Sequence, residues 1–130
     1  MKDLIILGVF SQIRDAIIML KQWNADVEDI HDLEKSPEGM QRMAGNCMMI
    51  QAIGEGVRKI YKLGGEPLLA LRPEIPWKQV IGMRDRISHG YFDIDTDYIA
   101  DIIDNDLDAL LSAIDFIINE IKATPATNNY

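Results

Sequence analysis

The chain has 130 residues, 48% apolar and 26% charged, which is enough to close one hydrophobic core. It contains no apolar run of about 18 residues, so no segment of it reads as a membrane span. The 21 acids against 13 bases leave a net charge of −8, which argues against general affinity for nucleic acid, and the single cysteine, Cys47, excludes an internal disulfide.

Taken in order, the chain predicts helices and no strand. Residues 3–23 form the first helix, because Ile6, Phe10, Ile13, Ile17 and Leu20 recur in 4-3-4-3 steps. Ile5, Val9, Ile18 and Met19 widen its apolar surface beyond one seam, so the helix is buried on two sides or covered by another subunit. A secretion leader is not expected, because Asp3 interrupts the start and the apolar run sits in an amphipathic helix, and a cytoplasmic location is expected. Residues 24–35 are acidic and less regular, with one short helical turn, and His31 among Asp29, Asp32 and Glu34 reads as a surface histidine. Ser36, Pro37 and Glu38 start a second long helix that runs to about residue 63. Its seam is Met43, Cys47, Ile50, Gly54, Val57 and Tyr61, and the mid-helix Gly54 and Gly56 imply close approach of another helix. Gly64-Gly65 stops it. A short helix or turn covers residues 66–71, and Pro73 and Pro76 turn the chain into a third main helix. The last helix carries Ile99, Ile103, Leu107, Leu110, Ile114, Ile117 and Ile121, with a kink marked by Asn105. The expected fold is all-α, an up-down bundle of four main helices plus short helical segments. It is one domain over residues 1–123, followed by a polar tail, 124–130, expected to be disordered.

The chemistry concentrates in Arg84-Asp85-Arg86-Ile87-Ser88-His89-Gly90-Tyr91. On the row Trp77, Val80, Arg84, Ile87, Tyr91, an arginine stands where an apolar residue is expected. Such a charge is salt-bridged to an acid of another helix, or it faces a cleft or a partner subunit. Glu55, between the two glycines, either pairs with Arg84 or lines the site, and the structural pairing is the favoured reading. Gly90 is the expected helix stop, which puts His89 in the last turn, where the helix dipole favours its protonated form. Asp85 and His89 then share a face, while Arg84 and His89 diverge by about 140°. Convergence of that pair would need long side chains, a helix end near His89 or a second copy of the motif. A histidine titrating near neutrality beside guanidinium groups can move protons and hold phosphate. Residues 58–86 hold seven bases against three acids, and residues 93–122 hold nine acids against Lys122 alone, so the motif lies in the basic half. No Cys/His cluster has zinc spacing and no glycine-rich phosphate loop occurs, so neither metal nor cofactor is expected.

Arg84, four residues, His89, one residue, Tyr91 resembles the Arg-x4-His-x-Tyr signature of HEPN domains, in particular the HepT-like toxins. Ile53-Gly54-Glu55, Pro76-Trp77, Met83-Arg84-Asp85 and His89-Gly90-Tyr91-Phe92-Asp93-Ile94-Asp95 are similar to that family in order and spacing, and the likeness covers residues 3–122.

The resemblance implies a metal-independent endoribonuclease toxin whose dimer brings two motifs together. It also implies neutralisation by a small nucleotidyltransferase antitoxin that attaches AMP to Tyr91. On that basis Arg84 and His89 are the candidate catalytic residues, with Asp85, Ser88 and Arg86 in support. The expected partners are RNA, a second copy of the chain and the antitoxin. The competing reading is a non-catalytic nucleotide-binding or partner-docking helical subunit of a nucleotidyltransferase complex.

Overall fold

The computed structural model describes residues 2–88 and 93–124. Four main helices carry the core: α1 (Lys2–Trp23), α2 (Pro37–Lys62), α4 (Trp77–Ile87) and a final rod of α5 (Thr96–Asp101), a π turn (Ile102–Asp106) and α6 (Leu107–Ala123). A 3₁₀ helix (Ile30–Lys35) and the one-turn α3 (Glu66–Leu69) lie between them. The expected all-α bundle is what forms, and among the described residues there is no strand beyond one isolated bridge. None of these helices is long and apolar enough to cross a membrane.

Local chemistry sets the ends. The Ser36 hydroxyl accepts from the Gly39 amide at 2.9 Å, and Pro37 occupies the first turn of α2. α2 ends before Gly64, whose φ of +80° is open to glycine without strain. Trp77 begins α4 under Pro76, and its indole N–H donates to the carbonyls of Leu69 at 2.8 Å and Arg72 at 3.1 Å. The Pro-Trp pair therefore fixes where α4 leaves the α3 corner.

All five seam residues predicted for α1 are buried, and they pack with Met43, Cys47, Ile50 and Val57 of the α2 seam in one core cluster, which Ile53 and Ile60 join while Tyr61 is only partly buried. Paired contacts give the register. Ile13 lies against Gly56 while Asn24 and Asn46 exchange hydrogen bonds at 2.9 and 3.0 Å, so α1 and α2 run antiparallel. Arg14 pairs with Asp115 and Lys21 with Asp108, which makes α1 and α6 antiparallel as well. At Gly54, a Cβ would sit 3.1 Å from the Val80 carbonyl oxygen and 3.2 Å from that of Ile81, so α4 crosses α2 with its backbone against a bare turn.

Two expectations about helix faces change. Arg84 is not in the apolar stripe: α4 buries Trp77, Val80, Met83 and Ile87, a 3-3-4 progression that leaves Arg84 at the margin and exposed. In the last rod Ile102 is buried and Ile103 only partly so. Ile99 and Leu107 are eight apart, which in a regular helix overshoots two turns by about 80°. The π turn takes up the excess and returns Leu107 to the core. Asn105, expected to mark a kink, lies in this turn and donates to Asp101 at 2.6 Å.

Candidate active site

Arg84 occupies the last turn of α4, and its guanidinium donates to the Glu55 carboxylate on α2. The pairing with Glu55 is as expected, but the pair is not buried: the side chains are 51% and 48% exposed. A guanidinium held this way at the surface keeps donors available for a second anion.

The helix ends at Ile87, not at Gly90. Ser88 is extended, at φ −163° and ψ 155°, and forms an antiparallel bridge with Ile94. The Asp95 amide donates to the Ile87 carbonyl at 2.8 Å, closing the base of the segment between them. His89, Gly90, Tyr91 and Phe92 lie outside the described residues. The early end of α4 removes the premise that His89 rides in its last turn. It also removes the shared face with Asp85 and the 140° divergence from Arg84, because both were reckoned on a continuous helix. What remains is a cationic side chain at a helix end, one turn before a crossing whose N-terminal foot, Ile87 and Ser88, is tied to its C-terminal foot, Ile94 and Asp95.

The C-terminal foot is tied down further. The Asp95 carboxylate caps α5 by accepting from the Tyr98 amide at 3.0 Å. The Thr96 hydroxyl donates to Glu34 of the 3₁₀ helix. His31 bridges Asp29 at 2.8 Å and Asp97 at 2.5 Å, and these carboxylates raise its pKa to about 9, Asp97 contributing most. The reading of His31 as a surface histidine among acids fits its exposure, but its principal partner comes from 66 residues along the chain.

The remaining candidates diverge. Arg86 turns away from Arg84, since two residues amount to about 200° of helix. It stacks on Tyr98 at 4.0 Å from the ring centroid and lines a cavity of about 700 Å³ between α4 and the last rod. Asp85 is exposed, and Ser88 is half-buried in the bridge. Cys47 is buried, and that burial pushes its thiol pKa up, as in an inert core thiol. Among the described residues, no group of three or more His, Cys, Asp or Glu side chains is placed to hold a metal ion.

Sequence reasoning noted the basic half but missed how it is arranged. Arg58, Lys59 and Lys62 share one exposed face of α2 with Glu55, and all four line a groove against α1. Their spacing, with Arg58 and Lys59 three and four residues after Glu55 and Lys62 four and three after them, was the available signal.

The family model described as ribonuclease HepT-like matches residues 13–117. A Methanocaldococcus jannaschii protein, named as a candidate RNase, is 32% identical over 73 residues, or 56% of this chain and 57% of that protein. The matched stretch thus spans little more than half the length of that relative. No solved structure matches.

Proposed function

Because the chain belongs to the HepT-like ribonuclease family, we propose that it is a metal-independent endoribonuclease of the toxin type, active as a homodimer and silenced by a nucleotidyltransferase antitoxin. The observation that carries this reading is the placement of Arg84: exposed at a helix end, five residues before His89 in the chain and one turn before the Ser88–Ile94 bridge. In the proposed reaction the RNA 2′-oxygen bonds to phosphorus as the bond to the 5′-oxygen breaks. The products are a 2′,3′-cyclic phosphate and a 5′-hydroxyl. His89 takes the proton from the 2′-hydroxyl or gives one to the leaving oxygen. Arg84 offsets the charge that builds on the phosphoryl oxygens. Asp85 and Ser88 are assigned supporting roles at the end of α4, whereas Arg86 supports the frame through Tyr98.

Tyr91 is the proposed acceptor of AMP from the antitoxin, with ATP as donor and pyrophosphate released. The adduct adds bulk and negative charge close to the phosphate position and repels RNA. The dimer no longer draws support from helix angles. It draws support from exposed Met19 and Trp23 on α1 and Met48 on α2, large apolar side chains that a second copy would cover.

The test is cleavage of single-stranded RNA in the presence of a chelator by the wild-type chain and by His89→Ala. The proposal expects cleavage by the first, ending in a cyclic phosphate, and loss in the second. Equal activity in both, or activity only with added metal, rules the mechanism out.

A further inference from the structure

In a chain with 21 acids and 13 bases, most cations should find a carboxylate. Arg14, Lys21, Lys35, Arg42, Arg72 and Arg84 do. Arg58, Lys59 and Lys62 do not pair with any carboxylate among the described residues, nor do Lys2, Lys78, Arg86 and Lys122, but these three are exposed and adjacent on one helix face. They rim a groove of about 530 Å³ between α1 and α2, floored by Val9 and Ile13. Gly56 has no side chain there, and a Cβ on it would lie 2.5 Å from the Ile13 Cγ1, so the bare turn lets Ile13 of α1 close against α2 at the bottom of the groove. Glu55 closes one end of the groove and is also the residue that holds Arg84. From Glu55 to Lys62 the α2 axis advances about 10.5 Å. A line of positive charge along α2 therefore ends at Glu55, whose carboxylate holds the candidate catalytic guanidinium.

We propose that this α1–α2 groove is the track for the RNA backbone flanking the scissile bond, with Arg58, Lys59 and Lys62 as its phosphate contacts. The inference rests on the ribonuclease reading and names the surface that reading lacks. It reconciles an acidic protein with an anionic substrate: the net charge repels nucleic acid broadly, and one basic strip admits it in a single orientation. Val9 and Ile13 of α1 are buried and close the bottom of the groove beneath the cations.

The experiment is salt-dependent binding of a fluorescein-labelled single-stranded 2′-O-methyl RNA, whose blocked 2′-oxygen cannot attack. The wild-type chain is compared with R58Q/K59Q/K62Q and with K122Q as a distant charge control. Each phosphate contact on a single strand contributes about 0.7 to the slope of log K against log salt, so losing three flattens it by about 2. Affinity at 0.1 M salt then falls about a hundredfold, while K122Q stays within about threefold of wild type. No binding by the wild-type chain, or the same slope and affinity in the triple variant, overturns the proposal. In the second case the strip is left for an acidic protein surface. Failure here is distinct from failure of the parent reading, which is decided by cleavage of unmodified RNA by His89→Ala.

Discussion

Replacing Arg84 by alanine separates a structural arginine from a catalytic one. Had the Arg84–Glu55 pair been buried, deleting one partner would strand a charge in the core and cost about 3–5 kcal/mol. Both side chains are about half exposed, however, and pairs of that kind contribute about 0.2–1 kcal/mol. Taking about 0.5 kcal/mol, Arg84→Ala lowers the melting temperature by about 2 °C for a chain of this size. Removing a preorganised donor from the developing phosphoryl charge costs about 10²- to 10³-fold in rate, or about 2.7–4 kcal/mol in the barrier. The two readouts therefore move by very different amounts. Thermal unfolding followed by circular dichroism gives the first, and single-turnover cleavage of single-stranded RNA gives the second. A stability loss of about 3 kcal/mol or more, or cleavage unchanged within about threefold, would refute the reasoning.

Two further predictions concern the frame. A Cβ on Gly39 would lie 2.0 Å from the Leu33 carbonyl oxygen, a clash with backbone of the 3₁₀ helix. Gly39→Ala is expected to lose about 3 kcal/mol to overpacking and regain about 1 in helix propensity, lowering the melting temperature by about 8 °C. Gly8→Ala, where nothing lies within 4 Å, should raise it slightly, and the reverse ranking in a thermal melt would discredit the packing account. The His31 ties make stability depend on pH. The folded-state pKa of about 9 stands above the ordinary 6.5, so the stabilisation is complete below 6.5 and disappears as pH rises through 9. Wild type should therefore melt above His31→Gln in mildly acidic buffer, and the gap should close by the alkaline end. A gap that is flat across this range would show that the Asp29 and Asp97 contacts are not ionic.

Most of the frame was legible because buried helix faces repeat. The α1 seam came directly from its 4-3 steps, and the α2 cap from Ser36-Pro37-Glu38. The close approach at Gly54 followed from a glycine with no turn to make. The errors have physical causes. A 3-4 row and a 3-3-4 row differ by one residue at Met83 and Arg84, and only packing decides which enters the core. The end of α4 was assigned to a glycine, but the Ser88–Ile94 bridge and the Asp95 amide capture the backbone earlier, and such pairing across a loop leaves no local signature. For the same reason His31 gave no hint of Asp97. At the site, Arg84 and Glu55 were readable as partners, but their exposure was not. The cations of α2 were visible one by one, but not as the wall of a groove.

The π turn has a meaning beyond the bend it makes. α6 is locked to α1 along its length by Arg14–Asp115 and Lys21–Asp108, while the start of α5 must present Asp95 to the end of α4 and Thr96 and Asp97 to the 3₁₀ helix. A regular helix through both would satisfy one set and rotate the other out of reach by most of a quarter turn. One surplus residue between Ile102 and Asp106 works as a mechanical coupling, letting two rigid rods on a common shaft keep separate phases. Shortening this turn by one residue would leave the bundle intact and swing Thr96 and Asp97 away from Glu34 and His31.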